Sequence, residues 1–533
     1  MHIDHSSLFQ GVNKERLEGV LPYYLRARRW FGGKARNIAS VSVVDVMPVE
    51  HAGGRSYVTI LRVSYEDGAY QHYVLPISIS DDYSELTGGA GEAVITRISN
   101  AGAPGEIVLY DATFNPDFTL GLLDAIANQT RFSGPLGEIA AWRTHAFDAL
   151  RGDSSGQLTP SIMGAEQSNT SVKYDDTFIL KLFRRLEEGT SPDLEIGRFL
   201  GQQGFAHTPP LAGALEYHRA GEALTLAILQ GFVPNKGDAW SFTLDMLEDY
   251  YPRAAETTQP ALTVQAPLLD LANAAIPAEV ARSIGEYVEW ARLLGRRTAE
   301  MHVALASDPS DAAFAPEPYT PEYQRELHAS MSGLTQQAFG QLSARLADLP
   351  AQARDEADAL LSRQGEVQGK FGAFQERDLA ARRTRVHGDY HLGQVLFTGD
   401  DFMIIDFEGE PVRPLSERRM KHSPLKDVAG MLRSFHYAAY SGMFDYQKAG
   451  AIEDAATLER LADAWQLWVS AAYLREYLQT AGGAAFLPWS RDDLQVVLDA
   501  HLLEKAVYEL IYELNNRPNW VIIPLKGILY LLS

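Results

Sequence analysis

The chain has no cysteine among its 533 residues, which excludes disulfide staples and thiolate metal sites but leaves the compartment undecided. It has no run of about 18 apolar residues, and the opening MHIDHSSLFQGVNKERL lacks an apolar core long enough for a signal peptide. A cytoplasmic protein without a membrane span is the expectation. Basic residues are in deficit: 47 Lys and Arg against 69 Asp and Glu give a net charge of −22, which argues against nucleic acid or anionic membrane as partner. Any phosphate site must therefore be built locally. Apolar residues are plentiful at 46%, enough to fill the cores of two to four domains at ~100 to 200 residues each.

The most informative stretch is Val386 to Pro411, VHGDYHLGQVLFTGDDFMIIDFEGEP. Two short β runs, Gln394 to Phe397 and Phe402 to Ile405, flank the turn residues Thr398, Gly399, Asp400 and Asp401 and predict a hairpin. The hairpin brings Gln394 and Asp406 to one end, where an amide oxygen and a carboxylate suit a hard cation such as Mg²⁺. Asp389, in the tight loop before it, is placed as a base. This layout resembles that of protein-kinase-like phosphotransferases, in which a loop Asp receives the hydroxyl proton and the following amide and carboxylate hold metal. The bland alternative is a Gly-Asp turn ahead of an ordinary hairpin.

Upstream, the small polar run Gln167, Ser168, Asn169, Thr170 and Ser171 offers N–H and hydroxyl groups that could do the work of a Gly-rich phosphate loop. Lys181 ends the strand Phe178 to Leu182, and Glu195 follows fourteen residues later in a helix that Ser191 and Pro192 open. That order and spacing are those of the kinase strand lysine and its helix glutamate, whose ion pair sets the lysine on the nucleotide phosphates. Leu224 to Val233 predicts the last strand of this lobe, with Gln230 and Phe232 entering a hinge against adenine.

The first hundred residues alternate. Ile38 to Val46, Tyr57 to Ser64 and Ala69 to Ile79, separated by Gly- and Asp-containing turns, predict an antiparallel sheet preceded by a helix. The basic, aromatic segment Leu21 to Arg36 fits either an anion site or a charged surface, and Gly88 to Glu92, GGAGE, reads as a plain loop. Beyond the hinge the chain reads as helical. Pro277 to Ala306 predicts one core helix carrying a packed His302, Asp308 to Pro321 a linker, and the segment to about Gln375 charged helices with no recognisable site. Glu408 and Glu410 face a cluster of cations, Arg413, Arg418, Arg419 and Lys421, that could pair with them. Asp427 begins a helix where it can accept hydrogen bonds from the catalytic loop and support Asp389. On the helix Ala500 to Asn515, Lys505, Tyr508 and Tyr512 share one face, a stripe that suits either a sugar's C–H surface and hydroxyls or core packing.

The segments HGDYHLGQ, IDFEGEPVRPLSERRMKHSPLKDVAGMLRS and LLEKAVYELIYELNNRPNWVIIPLKGI, with WFGGK near the N-terminus, resemble the bacterial maltokinases, relatives of the aminoglycoside phosphotransferases. Leu392 and Gln394 stand where aminoglycoside enzymes usually have Pro and Asn, and fit the maltokinase branch. The resemblance implies a two-lobed, protein-kinase-like α+β fold: a β-rich cap over 1–105, a nucleotide-binding lobe over 106–235 and a mostly helical lobe over 236–533. It implies phosphorylation of maltose by ATP with Mg²⁺ to maltose 1-phosphate, feeding α-glucan (glycogen) synthesis, with trehalose synthase as a functional partner. The roles it implies are base for Asp389, metal ligand for Gln394 and Asp406, and sugar contact for Asp389, His391, Glu408, Lys505, Tyr508 and Tyr512. A kinase for another sugar or amino sugar, such as glucosamine, is the rival; it would need a buried carboxylate, Glu408 or Glu504, facing the ammonium. A catalytically inactive binding protein is the rival from outside enzymes.

Overall fold

The computed structural model describes residues 5–80, 90–99, 106–152, 156–164, 168–256, 266–450 and 454–533. Gln167 of the small polar run, and Gly88 and Gly89 of GGAGE, lie outside the described residues. The chain divides into two compact units, Met1–Gly201 with Pro209–Pro234, and Gln202–Thr208 with Asn235–Ser533.

The first unit opens with the helix Gly11–Ala27, which buries Leu17, Leu21, Tyr24 and Leu25 along one stripe. The stripe packs on a sheet. Ile38–His51, Gly54–Tyr65 and Tyr70–Ser80 are antiparallel neighbours, followed by Glu106–Asp111 and Val94–Ser99. Along the first strand Val41, Val43, Asp45, Met47 and Val49 are buried while their neighbours are not, the period of two that a half-covered strand requires. Glu106–Asp111 lies beyond Gly105, so this sheet runs past the boundary the sequence suggests. A second sheet of seven strands follows, with Asn169–Tyr174, Phe178–Phe183 and Glu222–Gly231 adjacent within it. The two sheets share a core in which Met47, Val58, Phe118, Ile126, Val172, Leu180 and Leu215 are buried.

The second unit is mostly helical. Its long helices include Tyr287–Leu305, Pro321–Arg345, Leu425–Lys448, Ala455–Ala481 and Arg491–Asn516. The single helix expected over Pro277 to Ala306 is two, Ala278–Ile284 and Tyr287–Leu305. Gly285 breaks it with φ +70°, a left-handed conformation that glycine adopts without steric cost. The C-terminal helix starts well before Ala500, at Arg491, because the Ser490 hydroxyl accepts from the Asp493 N–H at 3.0 Å and caps it. The hairpin pairs Val395–Phe397 with Phe402–Ile404. Phe397 is anchored by stacking on Phe242 at 3.9 Å and edge-on against Trp290 at 5.1 Å, contacts worth ~0.5–1.5 kcal/mol each beyond burial. Among the described residues no helix is long and apolar enough to cross a membrane.

Candidate active site

The loop carrying Asp389 has no strand or helix of its own to satisfy its backbone. The buried Asp427, in the first turn of Leu425–Lys448, fills that gap: Oδ2 accepts from the His387 N–H at 2.7 Å and Oδ1 from the Gly388 N–H at 3.0 Å. Burial works to raise the Asp427 pKa, but His302, His387 and the Gly388 N–H outweigh it and hold the carboxyl below its ordinary value. His302 is fully buried, with Nε2 3.1 Å from Asp427 Oδ2 and Nδ1 2.9 Å from the Tyr477 hydroxyl. A carboxylate only accepts, so Nε2 carries a proton. The histidine that the sequence marks as packed is thus part of the loop's support.

A second tie runs from His387 to the hairpin. Its Nε2 lies 2.9 Å from the Ile405 carbonyl, an acceptor, so this nitrogen too bears its proton. Gly388 takes φ +88°, and a Cβ on Gly430 would stand 2.5 Å from the Tyr390 carbonyl oxygen. Only glycine lets the helix approach the loop this closely.

Gln394 ends the short turn Leu392–Gln394, and its carbonyl accepts the Ile405 N–H at 3.0 Å. That bond sets the residue before Asp406 against Gln394. Asp406 has φ +64°, a conformation costing most residues ~1–2 kcal/mol and tolerated best, after glycine, by Asn and Asp. Both side chains are half-buried and both offer oxygen, the donor chemistry a hard cation takes. His391 plays a different part. Its Nδ1 accepts the Gly393 N–H at 3.1 Å and caps the turn, and burial lowers its pKa although Asp389 opposes that.

Next to Asp389 the second unit encloses a cavity of about 280 Å³. Its wall includes Glu410, Arg413, Lys426, Glu504, Lys505 and Tyr508, together with Ser330, Gly333 and Gln337 from Pro321–Arg345. The charges there are matched. Glu410 accepts from Arg413 at 2.6 Å and lies 3.6 Å from Lys505; Glu504 is 3.1 Å from His501 Nδ1. Burial works to raise the pKa of both carboxyls, but Lys505 and Arg413 hold Glu410 below its ordinary value, and Lys426 and His501 hold Glu504 well below it. Burial likewise works against the Lys505 charge, and Asp389, 3.8 Å away, with Glu410 restores it. The ammonium stands 5.2 Å from the Tyr508 ring centroid, within cation–π range.

Three residues expected at the sugar are not in this wall. His391 caps its turn. Glu408 accepts from Arg418 Nη1 at 3.0 Å through its carbonyl. Tyr512 is 46% exposed and faces the Arg517 guanidinium at 5.5 Å; seven residues past Lys505 it keeps the helix face but lies ~10 Å farther along the axis, beyond the cavity. Ser330, Gln337, Lys426 and His501 also line the cavity and carry no motif or spacing signal in the sequence. Arg418 and Lys421 of the cation cluster serve carbonyls and Glu317 instead of the cavity.

In the first unit Lys181 and Ser171 are direct ladder partners and so share a face. Lys181 Nζ is 3.1 Å from Oδ2 of Asp193, a buried carboxylate two residues before Glu195 that sequence spacing did not single out. Asn169, Thr170 and Ser171 are strand residues rather than a loop tip, Ser168 is exposed, and the Thr170 hydroxyl accepts from Arg184 Nε at 2.8 Å on the other face. Gln230 is paired with Ile179 and Leu211 inside the sheet, and the strand ends at Gly231. Phe232, just past it, donates its N–H to Thr177 and carries Lys173 Nζ 4.1 Å over its ring.

Comparison with known proteins adds the following. Residues 159–472 match the phosphotransferase enzyme family, and residues 24–114 match the maltokinase N-terminal cap domain. A glucosamine kinase of Mycolicibacterium smegmatis is 26% identical over 363 residues, 67% of this chain and 76% of the relative. Another, of Streptacidiphilus jiangxiensis, is 24% identical over 370 residues, 67% and 70% of the two chains. Among solved structures, a glucosamine kinase in complex with glucosamine, ADP and inorganic phosphate superposes with TM-score 0.62 at 18% identity, over 96% of this chain and 99% of that one. A second crystal form gives 0.63 at 19% identity, over 100% and 99%. These likenesses establish a kinase-like α+β fold with a β-rich N-terminal cap and a helical C-terminal region.

Proposed function

The chain belongs to the phosphotransferase enzyme family, and from that premise we propose that it transfers the terminal phosphoryl group of ATP to maltose, forming maltose 1-phosphate. The observation that carries the choice of a neutral sugar is the charge pairing of the cavity wall. Glu410 and Glu504 each already have a cation, Arg413 with Lys505 for the first and Lys426 for the second. A wall so matched offers hydroxyl groups donors and acceptors without a spare buried carboxylate to neutralise an ammonium. The match of 24–114 to a maltokinase cap supports the same reading. In the cytoplasm, trehalose synthase would supply the maltose and α-glucan synthesis would consume the product.

In this mechanism Asp389 accepts the proton of the anomeric hydroxyl as that oxygen attacks phosphorus, and Lys505 and Tyr508 hold the sugar. Asp427 and His387 keep the loop in position. Lys181, steadied by Asp193, binds nucleotide phosphates from the first unit, with Ser171 beside it. Gln394 and Asp406 would hold Mg²⁺, which when bound neutralises charge on the transferred phosphoryl group.

A second reading, phosphorylation of glucosamine, is favoured by the names of the relatives and by Glu504 lining the cavity. A panel of maltose, glucose and glucosamine with ATP and Mg²⁺, read by ADP release and product identification, separates the two. Turnover of maltose is the expected result; turnover of glucosamine with none of maltose would replace it.

A further inference from the structure

The first unit contains a cavity of about 480 Å³ that no step above uses. Thr170, Val172 and Arg184 reach it from the far side of the lysine strand's ladder, and Asn169 and Met163 from the strand ends at its rim. Ser171 pairs with Lys181 and Thr170 with Leu182; paired residues share a face and successive residues alternate, so Lys181 and Thr170 point to opposite sides. Thr170 and Arg184 line the cavity.

Arg184 is 1% exposed. Nε donates to the Thr170 hydroxyl at 2.8 Å, and Nη2 donates to the Thr113 hydroxyl at 3.1 Å and pairs with Asp111 at 2.7 Å. Nη1 is buried and has no partner among the described residues. A guanidinium cannot relieve this by losing a proton, and a buried donor left unmade is costly. Asp111 has no capacity to spare, since it also accepts from the Thr113 N–H at 3.0 Å, the Thr113 hydroxyl at 2.7 Å and the Tyr24 hydroxyl at 3.4 Å. Two further arginines, Arg28 and Arg29, reach the same cavity just past the end of Gly11–Ala27. Arg28 Nη1 donates to the Glu92 main-chain carbonyl, which leaves its charge unbalanced, and Arg28 Nε has no partner among the described residues. Three guanidinium groups thus meet two carboxylates, Asp111 and Glu92, in a chain of net charge −22. Trp30 adds a flat wall, held by the Arg184 guanidinium 4.8 Å from its ring centroid.

We propose that this cavity is a second small-molecule site, which takes a phosphate group through Arg28, Arg29 and Arg184 and rests the body of a phosphate monoester on Trp30. Arginine forks match phosphate oxygens, and the volume falls in the ~300 to 1,000 Å³ range of small-molecule sites, more than bare phosphate fills.

The test is calorimetric titration of the full chain with inorganic phosphate and with glucose 6-phosphate, in a Lys181→Met background that disables the opposite face. One saturable site with Kd of about 1 mM or tighter is expected. Arg28→Ala/Arg29→Ala should weaken it by about tenfold or more, and Arg29→Ala alone, at an exposed position, should weaken it while leaving the unliganded melting temperature unchanged. Tighter binding of glucose 6-phosphate identifies an ester as the ligand; equal binding identifies the free anion. The proposal is overturned by the absence of saturable heat, or if binding seen in the parent is lost in Lys181→Met yet indifferent to the arginine pair.

Discussion

The Asp389 loop and the cavity wall beside it are built by opposite strategies. Between 384 and 406 the ties that join Asp389's loop to the hairpin are short in sequence, His391 capping Gly393, Gln394 receiving Ile405 and His387 reaching Ile405, and Asp427 and Ser434 add longer ones from a single helix. The wall draws instead on Ser330 and Gln337, Glu410 and Arg413, Lys426, and the helix carrying Glu504, Lys505 and Tyr508. A site of the first kind keeps its geometry while its surroundings diverge; one of the second kind can change ligand through a few substitutions on separate elements. Chemistry and choice of substrate are therefore separable in this fold.

The sharpest way to break that comparison is Asp389→Asn. If the loop alone carries the chemistry, turnover should fall by ~10² to 10⁴, with the melting temperature and nucleotide affinity unchanged; a fall in stability would mean that Asp389 is structural. Asp427→Asn should act on both. Its NH₂ would meet the His387 or Gly388 N–H donor to donor, so chemical denaturation should show a loss of ~1–3 kcal/mol together with slower turnover. Unchanged stability would remove Asp427 from the loop's support.

On the wall, Tyr508→Ala should raise the maltose KM by an amount equivalent to ~1–3 kcal/mol with the ATP KM unchanged. Steady-state kinetics showing the reverse would assign the stripe to packing. The smallest effect concerns pH. Burial and the nearby Lys426 lower the His422 pKa from 6.5 to about 3, so between those values the unfolded chain takes up a proton that the folded chain refuses. Stability contributed by the neutral imidazole is complete above about pH 6.5 and lost on acidification toward pH 3. Melting temperature should begin to decline below pH 6.5, and His422→Gln should make that decline shallower; an identical slope in the variant would exclude His422 as the cause.

Legibility in the sequence divides along the same line. The hairpin, the helical character of the chain beyond the hinge and the N-terminal sheet could be read because periodicity and turn residues are local properties. The proposed Asp389, Gln394 and Asp406 constellation rests on a signal of the same local kind, since its members are neighbours along the chain. The sequence spacing singles out Glu195; that the buried Asp193 of the same helix turn meets Lys181 is visible only in the fold. Pro321–Arg345 reads as a charged helix without function because the exposed Ser330 and Gln337 acquire meaning only when Glu410 and Tyr508 are brought beside them. Tyr512 shows the converse: helical periodicity assigns a face but not where along it a cavity ends.

The hydrogen bond from His387 to Ile405 has a consequence for anyone redesigning the enzyme. It is a cross-brace between two spans, one bearing Asp389 and the other ending at Asp406. Lengthening or shortening either span alone breaks the brace or drags the other carboxylate along. A variant library that aims to retune the separation of these two groups should therefore vary both spans together, with His387 held constant, and leave the helices that line the cavity as independent design variables.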